Sequence, residues 1–186
     1  STVAPAVAKA AMDSGIAQSA ITDWEAYKLD LNKRLGLDNQ LIRILGVKAR
    51  KDPRKVVFAE ADSLKILKAA KIVKDEGIAT PILLGDEKLI HAMMQENNIE
   101  IDDVMIIDPQ SDDMEAKRHY FGELYFDKRK RRGVNFYEAK KAMHARAYFG
   151  CMMVETGEAD ALISGLTRNY PDTIRPALQI IGMEDG

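Results

Sequence analysis

Apolar positions change rhythm along this chain at Asp52-Pro53. Before that point they recur three and four residues apart, the spacing of a helix face. Pro5 to Met12 reads as a short Ala-rich helix, with Gly15 as its stop. Thr22-Asp23-Trp24-Glu25 has the form of a capping box, in which the Thr hydroxyl and the Glu carboxylate three residues on answer each other's free amides. It predicts a helix with Trp24, Tyr27, Leu31 and Leu35 on one face. Leu35-Gly36-Leu37-Asp38 breaks that helix, and Asp38 can cap another short one carrying Leu41, Ile44 and Leu45. This all-helical first quarter has too little apolar surface to fold alone and must pack on something else.

Pro53 biases its predecessor away from helix, and beyond it short apolar runs alternate with helical periodicity. Lys55 to Ala59 reads as a buried strand. Ile66, Ala69, Ala70 and Val73 then recur at helical spacing, ended by Gly77. Pro81 to Gly85 is a second strand, and Asp86 can cap a helix around Leu89 to Met94. Val104 to Ile107 is a third strand. Met114 to Lys130 reads as a long charged helix and Phe136 to Glu155 as one helix with Tyr148, Phe149, Met152 and Met153. Asp160 to Ile163 is a fourth strand, followed by a polar loop and a helix from Thr173 to Ile181. This alternation predicts a three-layer α/β/α fold with a mostly parallel sheet.

Composition narrows the function classes. In 186 residues, 46% apolar and 30% charged is ordinary for a soluble globular domain. A net charge of −2 gives no overall field for nucleic acid or a membrane surface, so neither is expected as a partner. The single Cys151 cannot form an internal disulfide or a cysteine metal cluster, which fits a reducing, cytoplasmic setting. No apolar run reaches the roughly 18 residues of a membrane span. Ser1 to Ala11 lacks the charged-then-apolar order of a signal peptide. The absent initial Met and the stop at Gly182 to Gly186 lead us to expect a piece of a longer protein.

The chemistry concentrates in Ile163 to Pro176. Ligands of open α/β sheets bind beyond the carboxyl ends of strands. Gly165 permits close backbone approach, a helix starting after Asp172 would offer free amides and a favourable dipole to an anion, and Pro176 would sit where first-turn amides have no partner anyway. Arg168 and Arg175 can fork onto phosphate or carboxylate oxygens. The competing reading is a helix cap with two arginines on a solvated surface. Lys128 to Arg132 suits a solvated helix C-terminus, unless one arginine turns inward to the anion site. His91, His119 and His144 lack metal-ligand spacing, so no metal site is expected. Cys151 and the pairs Met93-Met94 and Met152-Met153 read as core. Glu60 and Asp62 follow the first strand, where a site could lie, although Asp62 suits a helix cap.

Ser164-Gly165 followed by Asp172-Thr173-Ile174-Arg175-Pro176-Ala177-Leu178-Gln179-Ile180-Ile181 resembles the phosphotransacetylase family. Arg129-Lys130-Arg131-Arg132-Gly133 resembles that family's Arg-Lys-x-Lys-Gly motif. Val56 to Asp62, Tyr148 to Val154 and Gly157 to Asp160 also fit, so the resemblance covers about residues 50 to 186. Pro5 to Ala17 resembles the end of the catalytic part of the large class of bacterial malic enzymes, in which a phosphotransacetylase-like domain follows in this order.

The resemblance implies a phosphotransacetylase/isocitrate dehydrogenase-like fold. Residues 1–20 would end the malic enzyme part, 21–52 would form a helical linker, and 53–186 would be the first part of the phosphotransacetylase-like domain. By similarity, Arg129 and Arg175 match arginines linked to substrate or CoA binding and catalysis, and Ser164 and Gly165 match the phosphate-side loop. With Thr167 and Arg168 these are the expected ligand-binding residues; no catalytic residue is assigned. Arg168, Asn169, Tyr170 and Pro171 stand where the transferases have a His and small hydroxyl residues. Tyr170 and Pro171 are therefore expected to narrow and stiffen the pocket. The expected role is regulatory and oligomer-forming, with acetyl-CoA or a related acyl-CoA as effector of an NADP-dependent malic enzyme. NADP and a divalent Mg or Mn would be held by the rest of that chain. The alternative is a phosphate acetyltransferase acting on acetyl phosphate and CoA.

Overall fold

A computed structural model describes residues 3–17, 19–34 and 40–183. The chain divides into two compact units, Ser1–Val47 and Lys48–Gly186. The first carries α1 (Val3–Asp13) and α2 (Trp24–Arg34) and most of α3 (Gln40–Lys51). Gly15, at φ +71°, takes the left-handed turn that ends α1. The cap of α2 differs from the expected box. Asp23, not Thr22, holds the free amides, with Oδ1 accepting from Glu25 N at 3.0 Å and Ala26 N at 2.9 Å. An ionised carboxylate is the stronger acceptor at a positive helix end. Trp24 and Tyr27 meet edge-on at 5.9 Å. The break expected at Leu35 to Asp38 lies outside the described residues.

The second unit is built on a parallel four-stranded sheet. Its strands are β1 (Arg54–Phe58), β2 (Ala79–Leu84), β3 (Met105–Ile107) and β4 (Ala161–Ile163), ordered β3-β2-β1-β4. Both faces are covered, so successive residues of one strand enter different cores. Val57, Ile82, Leu84 and Ile107 point to the face packed by Phe121, Phe149, Met152 and Ile180. Phe58 and Leu83 point to the other, packed by Leu67, Ala70, Ile90 and Met94. The second face is made by α4 (Leu64–Asp75) and α5 (Glu87–Glu96), the first by α6 (Glu115–Arg129), α7 (Phe136–Ala142), α8 (Arg146–Glu155) and α9 (Tyr170–Ile180). This is the expected three-layer α/β/α arrangement.

Asp86 caps α5 as expected, accepting from Leu89 N at 2.9 Å. Three expectations fail locally. Asp62 does not cap α4; the N-cap is Ser63, with no side-chain bond, and Asp62 instead pairs with Arg146 at 2.9 Å. Phe136 to Glu155 is two helices: an Asn135/Glu138 capping box starts α7, and the chain turns at Met143 to Ala145 before α8. And α9 begins at Tyr170 under an Asn169 cap, three residues early. The first-turn proline is thus Pro171, while Pro176 lies inside the helix, buried. Among the described residues no helix is long and apolar enough to cross a membrane.

Candidate functional site

The sheet runs one way from β1 through β2 to β3, then returns to β4 on the other side of β1. The tips of β1 and β4 therefore flank the point where strand order reverses, the place where open α/β sheets hold ligands. A cleft of about 1100 Å³ opens there. Ala59 and Glu60 after β1 and Ser164 and Arg168 after β4 form one side, joined by Asp172, Arg175 and Pro176 of α9. Lys140 and Lys141 of α7, the turn at His144-Ala145 and Arg146 to Tyr148 of α8 also line it, as do Asp112, just before α6, and Glu115 and Arg118 within it.

Within this frame Glu60 is buried at 4% exposure. Its Oε1 accepts from Ser164 Oγ at 3.0 Å, Gly165 N at 2.5 Å and Leu166 N at 3.2 Å. Its Oε2 accepts from both the amide and the hydroxyl of Thr167. Burial alone would raise the carboxyl pKa, but the donations from Thr167, Gly165 and Ser164 outweigh it, lowering the value from 4.5 to about 2. Glu60 is thus an ionised carboxylate under the loop. Gly165, at φ +111°, supplies the left-handed bend that lets consecutive amides converge on it.

The cleft is rich in cations. Arg118, 8% exposed, is spent on the carbonyls of Pro109 and Ser111 and so fixes the chain entering α6. Arg146 is spent on Asp62. Among the described residues no carboxylate lies within ion-pair distance of Arg168, Arg175, Lys140 or Lys141. The N-cap of α8, Ala145, has no side chain to bond the first-turn amides, and that turn lines the cleft. In the same turn Tyr148 is anchored by donating to Gln179 Oε1 at 2.6 Å, an oxygen that also accepts from Tyr125 at 2.8 Å. Burial first, with the neighbouring Tyr148, pushes the Tyr125 hydroxyl up to about 12, so it stays a donor.

The structure brings Ser164, Arg168 and Arg175 to one cleft; Gly165 and Thr167 do not line it and instead bond Glu60. Arg129 is not among the lining residues. It sits at the end of α6 near Tyr125, and its Nε is buried without a hydrogen-bond partner. Tyr170 does not narrow the cleft either; it is 75% exposed and lines no part of it, because α9 starts early and turns it outward. The free helix N-terminus is also not the expected one. Asn169 caps α9 through Asp172 N, whereas the first turn of α8 is open. Reading Phe136 to Glu155 as one helix concealed that start and, with it, Lys140, Lys141, His144 and Arg146. The turn carries no Gly or Pro, and the Asn135/Glu138 capping pattern marks only the start of α7, so nothing local signalled that a second helix begins at Arg146. Among the described residues no three His, Cys, Asp or Glu side chains converge as a metal site.

Comparison with known proteins agrees with this fold. Residues 40–186 match the family model described as phosphate acetyl/butaryl transferase. The chain is 35% identical to an NADP-dependent malic enzyme of Salmonella typhimurium over 188 residues, covering 99% of this chain and 24% of that protein. It is 36% identical over 144 residues to a phosphate acetyltransferase of Helicobacter pylori, covering 77% of this chain and 27% of that one. The EutD phosphotransacetylase structure from Staphylococcus aureus superposes with a TM-score of 0.69 at 31% identity, over 79% of this chain and 43% of that one. The chain thus spans about a quarter of the length of these curated relatives.

Proposed function

Because the chain belongs to the phosphate acetyl/butaryl transferase family, we propose that its switch-point cleft binds an acyl-coenzyme A, and that this binding regulates a malic enzyme of which the chain forms part. One observation carries the reading: Arg168, Arg175 and Lys141 line a cleft of about 1100 Å³ with no carboxylate partner among the described residues. Coenzyme A bears several phosphate charges, and unpaired arginines in a cleft that is also lined by an open helix N-terminus suit them. The malic enzyme setting is favoured by similarity along 99% of the chain to a protein of that name. NADP and the divalent metal of malate oxidation are assigned to the rest of the parent chain, in keeping with a cytoplasmic enzyme. Arg129, which does not line the cleft, is left out of the proposed contacts.

Regulation requires acetyl-CoA to bind two conformations of the assembly with different affinity. Arg175→Ala in the full-length enzyme is expected to weaken acetyl-CoA inhibition of malate oxidation about tenfold or more, the scale of one lost charged contact. Superimposable inhibition curves for variant and wild type would remove the assignment.

A second reading is catalytic. The likeness to named phosphate acetyltransferases favours acetyl transfer between acetyl phosphate and CoA. In this reading Ser164 and the cleft arginines would hold the acetyl phosphate. Acetyl-CoA formation by the full-length protein decides between the two, and we expect none above background.

A further inference from the structure

The loop after β4 offers three amides and two hydroxyls to one point, an arrangement that elsewhere cradles a bound anion. The anion filling it is the protein's own Glu60. We propose that Glu60 is a positioning residue of the cleft: its carboxylate shapes the Ser164–Thr167 loop, sets Ser164 and Arg168 in the cleft wall, and, by occupying the nest, directs a ligand's anionic group to the arginine side chains instead. This rests on the reading of the cleft as an acyl-coenzyme A site.

Both oxygens of Glu60 are engaged, three donors on Oε1 and two on Oε2, and the side chain is 4% exposed. Although Glu60 lines the cleft, both its oxygens are therefore committed to holding the loop. Without it, five part-buried donors would lose their acceptor, and the loop would have to re-form to satisfy them. The left-handed Gly165 allows such alternatives, since its backbone has no side chain to restrict it. A glutamine could not substitute well, because its NH2 group would face donors on one side. Arg168 follows Thr167 directly, so any change in the loop's path moves the guanidinium that lines the cleft.

The test uses full-length protein, wild type and Glu60→Ala, with coenzyme A binding followed by calorimetry and folding by thermal unfolding. Formate is small enough to enter the vacated space and supplies the same acceptor group. We expect Glu60→Ala to weaken coenzyme A binding about tenfold or more. Added formate should recover much of that loss and raise the melting temperature of the variant. Chloride at equal ionic strength should do neither, and formate should not improve the wild type. A folded Glu60→Ala that binds coenzyme A like wild type overturns the positioning role; so does a loss that formate cannot repair in affinity or in melting temperature. Wild type that fails to bind coenzyme A overturns the ligand reading, and formate-specific stabilisation of Glu60→Ala then still reports on the nest. Should Glu60→Ala not fold, Thr167→Val removes one hydroxyl donor and leaves the carboxylate. It should weaken coenzyme A binding several-fold, and wild-type affinity would overturn the proposal.

Discussion

At the scale of single residues, Glu60 ties acid stability to the site. Its folded pKa of about 2 lies below the ordinary 4.5. A depressed carboxylate stabilises the fold fully above its unfolded pKa, and that contribution is lost as pH falls from about 4.5 toward about 2. Across the window it amounts to something on the order of 3 kcal/mol. We expect Glu60→Gln to be less stable than wild type at neutral pH, with the difference shrinking as pH falls through this window. Urea unfolding at a series of pH values measures it, and parallel curves would argue against the assignment. The sequence marked Glu60 as lying near a site, but its role could not be read there, because its donors are 104–107 residues away. The anion-binding look of Ser164 to Thr167 was legible; that the anion is internal was not.

At the scale of elements, α8 shows how closely the layers approach. Gly150 sits where an added Cβ would come within 2.7 Å of Leu162 Cδ1, 3.3 Å of Leu84 Cδ1 and 3.4 Å of Val57 Cγ1. Three neighbouring strands therefore press on a single helix position. Gly150→Ala would gain about 1 kcal/mol of helix propensity, but overpacking a tight core costs roughly 1–3 kcal/mol. We expect net destabilisation of roughly 0–2 kcal/mol, read as a lower urea midpoint at unchanged slope; a variant more stable than wild type would mean the side chains around Gly150 yield freely. The strands were legible because each is a short apolar run bounded by Gly, Pro or Asp. The break at Met143 to Ala145 was not, for it lacks those residues and both sides keep helical periodicity. A helix end set by tertiary placement leaves little local trace, and here it hid half of the cleft. At Asn169 the start of α9 was missed for another reason: Asn, Pro and Asp crowd together there, and more than one of them can cap.

At the scale of the whole molecule, the cleft's character is electrostatic. Arg168 and Arg175 are both solvent-exposed, so their attraction for a charged ligand is open to screening. We expect coenzyme A affinity to fall several-fold when salt is raised from about 0.05 M to about 0.5 M, because the screening length drops well below the width of such a site. Salt-independent affinity would show that apolar contacts dominate. Glu60 and its donors lie on the tips of the first and last strands of the sheet, more than a hundred residues apart. Their meeting closes a loop of more than a hundred residues, and long closures are slow and come late. A nascent chain that has emitted every helix up to α8 therefore still lacks a pocket. Recognition and completion of folding become one event, and a ligand that binds only the finished sheet will act as a brake on its unravelling.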